Sequence, residues 1–167
     1  MNTLDRFAHR LKDSGLTVAV AESLTCGRLA SALGSTSSAS DWFRGGVVAY
    51  DKEVKFSVLG VKRGPVINRE TAQQMAESVR HLMDTDIALA VTGVGGPGHT
   101  EELPAGTVFI AVATKHGTTA REHRFPGDPD AVLDATVLAV VELAMSVNPF
   151  TDPGYSAAAL NYERTHR

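Results

Sequence analysis

Apolar residues fall into two rhythms along this chain, and each change of rhythm marks an element. Leu4, Phe7, Ala8 and Leu11 stand at i, i+3, i+4 and i+7, which lays one apolar stripe along an amphipathic helix. Asn2 or Thr3 is placed to cap that helix and Gly15 to end it. Residues 16–21 form an apolar run of strand length, the pattern of a buried strand. Residues 25–34 read as a short helix with small residues, 35–41 as a polar loop and 47–50 as a second strand. Residues 53–59 make a helical turn or short helix that ends at Gly60.

Asn68 caps a longer helix to about Met83, with Ala72, Met75, Ala76 and Val79 on one face. Residues 87–92 are a buried strand, and 93–105 are a loop punctuated by glycine and proline. Residues 106–114 form a strand, with 118–125 as its hairpin partner across Lys115-His116-Gly117. Asp128 caps a long apolar helix over 131–147. Helices alternating with strands, plus one hairpin, predict an α/β fold: a three-layer α/β/α sandwich around a mixed sheet. One domain is expected over residues 1–148. Residues 149–167 are a polar tail without a clear period, read either as a disordered extension or as a segment that docks on a neighbouring subunit.

Composition narrows the function classes. The chain has 167 residues, 43% hydrophobic and 21% charged, an ordinary globular balance. A net charge of −3 gives no general attraction to nucleic acid or to an anionic membrane. No apolar stretch approaches the roughly 20 residues that span a bilayer. The first residues read as a helix start rather than a signal peptide. The single cysteine excludes an internal disulfide, and a cytoplasmic location is the default expectation. The six histidines show no metal-ligand spacing, so no metal and no cofactor is expected. Assembly into a homo-oligomer is left open.

Two segments concentrate the candidate chemistry. In Glu22-Ser23-Leu24-Thr25-Cys26-Gly27, a serine stands between a buried strand and a helix. A serine at such a turn points into the crevice at the strand's carboxyl end, where open α/β sheets hold their ligands. As a nucleophile it would sit near the positive end of a helix dipole; its alternative role is to cap the helix. Cys26 is a rival nucleophile, or else a small packing residue. Tyr50-Asp51-Lys52-Glu53-Val54-Lys55 supplies two lysines three residues apart. A desolvated, neutral lysine can act as the base a serine needs, and the spacing does not choose between Lys52 and Lys55. Tyr50 can orient the lysine or the substrate. A third segment, Thr92-Gly93-Val94-Gly95-Gly96-Pro97-Gly98, follows a buried strand and can offer successive N–H groups to an anion. It lacks the lysine ending of a P-loop. In this setting His99 is the one histidine placed for a serine triad.

These runs, together with Trp42-Phe43, Gly45-Gly46-Val47-Val48-Ala49-Tyr50, Leu59-Gly60-Val61, Pro104-Ala105-Gly106-Thr107-Val108 and Phe125-Pro126-Gly127-Asp128, occur in a fixed order. In that order the chain resembles the CinA C-terminal domain family, whose enzymatic members are PncC-type nicotinamide-nucleotide amidohydrolases. The resemblance covers about residues 4–145. It implies a three-layer α/β/α fold and a cytoplasmic, metal-independent serine/lysine amidohydrolase. Such an enzyme converts the carboxamide of nicotinamide mononucleotide into nicotinic acid mononucleotide and ammonia. Its small-molecule partner would be a pyridine nucleotide.

Carried over by position, the nucleophile falls on Ser23, the base on Lys55 rather than Lys52, and the preceding tyrosine on Tyr50. Substrate contacts fall on Glu22, Thr25, Cys26, Gly27, Thr92, Gly93, Gly95, Gly96, Gly98 and Thr107. Two departures stand out. Cys26 replaces a glycine found in many relatives. Pro129-Asp130-Ala131-Val132-Leu133-Asp134 replaces a run that brings arginines into the last helix of many relatives. A phosphate contact would then be missing, or come from Arg63, Arg121 or Arg124, from the glycine loop, or from an arginine of a neighbouring subunit. The alternative is a non-catalytic nucleotide-binding or regulatory domain. The dyad requires Ser23 and Lys55 to meet in the fold, with Lys55 buried and its pKa lowered.

Overall fold

The computed structural model describes residues 1–147, without the side chain of His99. The tail expected at 149–167 lies outside the described residues. Chain order gives α1 (Thr3–Ser14), β1 (Val18–Glu22), α2 (Arg28–Gly34), α3 (Ala39–Trp42), β2 (Phe43–Val48), α4 (Lys52–Ser57) and α5 (Arg69–Leu82). It continues with β3 (Ile87–Gly93), β4 (His99–Thr100), β5 (Leu103–Pro104), β6 (Thr107–Thr114), β7 (Gly117–Arg124) and α6 (Pro129–Ser146). The main sheet is mixed and ordered β2-β1-β3-β6-β7. β1 runs parallel to β2 and β3, whereas β6 is antiparallel to both β3 and β7.

Period-two alternation divides the three central strands between two unequal faces. Val18 and Val20 of β1, Ile87, Leu89 and Val91 of β3, and Val108, Ile110 and Val112 of β6 share a core with α1, α2, α3 and α6. The intervening Ala19, Ala21, Ala88, Ala90, Ala111 and Ala113 face α5, which buries Ala72, Met75, Ala76 and Val79 against them. Large residues fill one interface and alanines bring the helix close at the other, as close packing of facing layers requires. The three-layer α/β/α expectation therefore holds. Asn2, Asn68 and Asp128 each cap their helix through the side chain, and Gly15 ends α1 at φ +66°. Among the described residues no helix is long and apolar enough to cross a membrane.

Four boundaries differ from expectation, each for a local reason. The second strand is Phe43–Val48 rather than 47–50, because Gly45-Gly46 interrupts the apolar pattern. Gly46 is needed there: an added Cβ would lie 2.2 Å from the Val20 carbonyl oxygen of β1. The helix expected from residue 25 begins at Arg28, since Cys26 (φ +46°) and Gly27 (φ +95°) make a left-handed turn first. Within the expected loop 35–41, α3 forms and buries Trp42 edge-on to Phe7, ring centroids 6.3 Å apart. The long loop carries the two-residue β4–β5 ladder.

Candidate active site

The crevice opens at the carboxyl ends of β1, β2 and β3. β1 crosses to β2 on one face through α2 and α3, and β2 returns past β1 to β3 through α4 and α5 on the other. The strand order thus reverses beside β1, the place where open α/β sheets bind ligands. The turn after β1 is fixed from both sides: Ser23 N–H donates to Val91 O at 3.1 Å, and Ala49 N–H donates to Glu22 O at 2.7 Å. The resulting cavity holds about 590 Å³, within the usual size of small-molecule sites, about 300–1,000 Å³. Ser23, Leu24, Tyr50, Asp51, Lys52, Lys55, Thr92, Gly93, Gly95, Gly96, Glu101, Pro129 and Leu133 contribute to its wall.

Glu22 organises the serine turn from inside the protein. It is 0% exposed. Its carboxylate accepts the N–H groups of Gly27 (3.1 Å), Leu29 (3.0 Å) and Ala30 (2.8 Å). The capping task considered for Ser23 is therefore done by Glu22, five residues ahead of the helix's Gly27 N-cap. Ser23 is only 7% exposed yet lines the cavity. Its hydroxyl has no hydrogen-bond partner among the described residues. The backbone N–H groups of Leu24 and Thr25 likewise have no acceptor among the described residues, while those of Cys26 and Gly27 are taken by Ser23 O and the Glu22 carboxylate.

Several residues expected at the substrate do not line the cavity. Glu22 is committed to α2. Thr25 is buried, with its hydroxyl unpartnered. Cys26, read as packing, is instead exposed on the left-handed turn, and Gly27 caps the helix behind it. Gly98 turns at φ +93° into β4. Thr107 is buried and donates its hydroxyl to Pro104 O at 2.8 Å.

Lys55 rises from the last turn of α4, whose N-terminus Asp51 caps by accepting Glu53 N–H at 2.7 Å. The lysine is only 2% exposed. Nζ donates to Ala49 O at 2.7 Å and to Tyr50 O at 3.0 Å. Burial pushes its pKa down, and the charges of Asp51 and Glu101 oppose that shift in part. No carboxylate lies within ion-pair distance of it among the described residues. Ser23 and Lys55 border the same cavity without a direct hydrogen bond between their side chains. Tyr50 contributes its carbonyl to Lys55, while the residue as a whole is 68% exposed at the cavity.

The glycine loop forms the opposite wall. Thr92 donates its hydroxyl to Val66 O at 2.8 Å. Gly93 packs so tightly on β6 that an added Cβ would meet Thr107 O at 2.6 Å. The N–H groups of Gly95 and Gly96 find no acceptor among the described residues. Glu101, which sequence reasoning passed over, accepts the N–H groups of Val66 and Ile67 at 2.9 Å each and latches this wall to the loop before α5. No signal marked it, since its left-handed backbone (φ +52°) and its target are both products of the fold. Of the arginines considered for a phosphate, Arg63 pairs with Glu53 at 3.1 Å, and Arg121 and Arg124 lie on β7 away from the cavity wall. At the α6 end the wall is Pro129 and Leu133, and nearby Arg28 is held by Asp130 (2.8 Å) and Asp134 (2.7 Å).

A mixed-sheet α/β/α domain with a crevice at three strand ends is thus the class defined by the geometry. The chain belongs to the CinA C-terminal domain family, whose profile matches residues 2–147. A putative competence-damage inducible protein of Desulforamulus reducens is 45% identical over 139 residues, covering 80% of this chain and 34% of the relative. A CinA-like protein of Geobacter sulfurreducens is 37% identical over 149 residues, covering 84% of this chain and 36% of that one. The chain spans about a third of the length of these curated relatives. Among solved structures, the CinA superfamily protein from Escherichia coli aligns with TM-score 0.83 at 29% identity, covering 86% of this chain and 87% of that one. The competence/damage inducible protein CihA from Agrobacterium tumefaciens aligns with TM-score 0.81 at 31% identity, covering 89% and 97% respectively.

Proposed function

We propose that the crevice hydrolyses a carboxamide, that of nicotinamide mononucleotide, with Ser23 as nucleophile and Lys55 as base. The observation that supports this most is the environment of Lys55: a buried nitrogen with two carbonyl acceptors and, among the described residues, no carboxylate within ion-pair distance, on the wall it shares with Ser23. A neutral amine has two N–H bonds and one lone pair. The two carbonyls match the two N–H bonds and leave the lone pair to receive a proton.

Lys55 Nζ takes the Ser23 proton as Oγ bonds to the carboxamide carbon, across a shortened contact or through one water. The carbonyl oxygen becomes an oxyanion that the open N–H group of Leu24, on the cavity wall, would bind; losing such a donor costs roughly 10²–10³ in rate. The C–N bond breaks, and the nitrogen leaves as ammonia with the proton held on Lys55. Water then gives a proton to Lys55 and attacks the acyl carbon. The C–Oγ bond breaks, Ser23 regains its proton, and nicotinic acid mononucleotide leaves. The test is turnover: the chain should release ammonia and the acid in equal amounts, and Ser23→Ala should reduce both by at least about 10³-fold.

A second reading, a nucleotide-binding domain without catalysis, draws on one observation. The two carbonyls on Lys55 would also suit a lysine that merely pins the turn after β2. A folded wild-type chain that binds the nucleotide and releases no ammonia would favour it.

A further inference from the structure

We propose that Lys52 is the phosphate-recognition residue of this crevice and selects a phosphorylated substrate over its nucleoside; this rests on the amidohydrolase reading above. Four charged side chains border the cavity: Asp51, Lys52, Lys55 and Glu101. Three are committed to the backbone. Asp51 accepts Glu53 N–H, Glu101 accepts Val66 and Ile67 N–H, and Lys55 donates to Ala49 and Tyr50 carbonyls. Lys52 alone of the four has no hydrogen bond or ion pair to any described residue. It is exposed, so its ammonium is free to follow a ligand.

The same cavity carries two further donors without acceptors among the described residues, the N–H groups of Gly95 and Gly96. An exposed ammonium and open backbone donors on one cavity wall are a chemistry that suits a tetrahedral phosphate monoester. The α6 end offers no rival seat. Its wall is Pro129 and Leu133, and Arg28 beside it is neutralised by Asp130 and Asp134. The phosphate therefore lies on the α4 side of the crevice, with the carboxamide at Ser23.

The experiment compares nicotinamide mononucleotide with nicotinamide riboside on the full chain, its Lys52→Gln variant and its Lys52→Arg variant. An exposed charge-assisted contact lies at the weak end of its range, so the nucleotide-to-riboside ratio of kcat/KM should fall on the order of ten-fold in Lys52→Gln. The loss should fall on KM for the nucleotide. Lys52→Arg should restore most of it, and added salt should raise the wild-type KM because the contact is exposed. An unchanged ratio in Lys52→Gln overturns the assignment. If no amide is turned over, the amidohydrolase reading fails by itself. Calorimetric titration with the nucleotide and with inorganic phosphate then decides: weaker binding in Lys52→Gln upholds the subsite, and equal binding overturns it.

Discussion

The turn after β1 and the turn after β2 each bury one ionisable side chain, and the two are partnered differently. Glu22 receives three backbone N–H groups and lies behind the crevice wall. Lys55 has two carbonyls, no carboxylate within ion-pair distance among the described residues, and a place on the wall itself. A buried charge saturated with hydrogen bonds shapes the chain around it. A buried amine left with fewer acceptors than an ammonium has protons is biased toward its neutral form, the form a base requires. The contrast supports a structural role for Glu22 and is consistent with the base proposed at Lys55.

The largest expected effect that probes this contrast is in the pH profile. Protonated Lys55 cannot accept the serine proton, so kcat/KM should fall as pH falls. The midpoint should lie below the ordinary lysine value of about 10.4, because burial lowers the pKa. Stability carries the same sign. Between the lowered pKa and the ordinary one the unfolded chain binds more protons than the native chain, so stability rises with pH across that window. Equilibrium unfolding at several pH values checks this. A rate limb centred at or above 10.4 would return Lys55 to a plain structural role.

Glu22→Gln sharpens the other half of the comparison. One carboxylate oxygen becomes an NH₂ group facing backbone donors that Glu22 now satisfies. The expected cost is about 2–4 kcal/mol in chemical denaturation, the scale of a lost charge-assisted contact plus an unsatisfied buried donor. A change under about 0.5 kcal/mol would show that α2 does not need its buried cap. The smallest effect belongs to Cys26→Ala. Cys26 is exposed on the far side of the turn and absent from the cavity wall, so ammonia release should stay within about two-fold. Its left-handed backbone makes glycine, rather than alanine, the gentler control.

Strand and helix identities were legible where one period ran unbroken. The apolar runs of β1 and β3, the stripes of α1 and α5, and the capping residues Asn68 and Asp128 all carry their meaning locally. β2 was legible only at Val47 and Val48, because Gly46 is dictated by the nearness of Val20 in the neighbouring strand, a tertiary fact. α3 was hidden because Trp42 buries against Phe7 and Phe43 from within a polar stretch. At the site, Ser23, Lys55, Tyr50 and the glycine loop were placed on a common crevice from turn chemistry and from the ordered motifs. The resemblance carries a substrate contact onto Glu22, which the fold instead turns to the start of α2. Its three amide partners come from residues five to eight positions later, on a helix whose start was itself misplaced by the turn at Cys26. Glu101 takes its place from loop geometry that no local pattern encodes, whereas Lys52, one of the two lysines the sequence offers, reaches the cavity from the first turn of α4.

The most direct test of the central claim is ammonia release from nicotinamide mononucleotide by Lys55→Met beside the wild-type chain, with both melted in parallel. Methionine keeps much of the lysine's length and volume and removes the base. It leaves the Ala49 and Tyr50 carbonyls without their donor, but it also removes the desolvation cost of a buried amine. Stability should therefore change by less than about 2 kcal/mol. The account predicts steady ammonia release by the wild type and a loss of at least about 10³-fold in a folded Lys55→Met. A folded Lys55→Met that retains more than about a tenth of the wild-type rate, or a folded wild type that releases no ammonia, would contradict it.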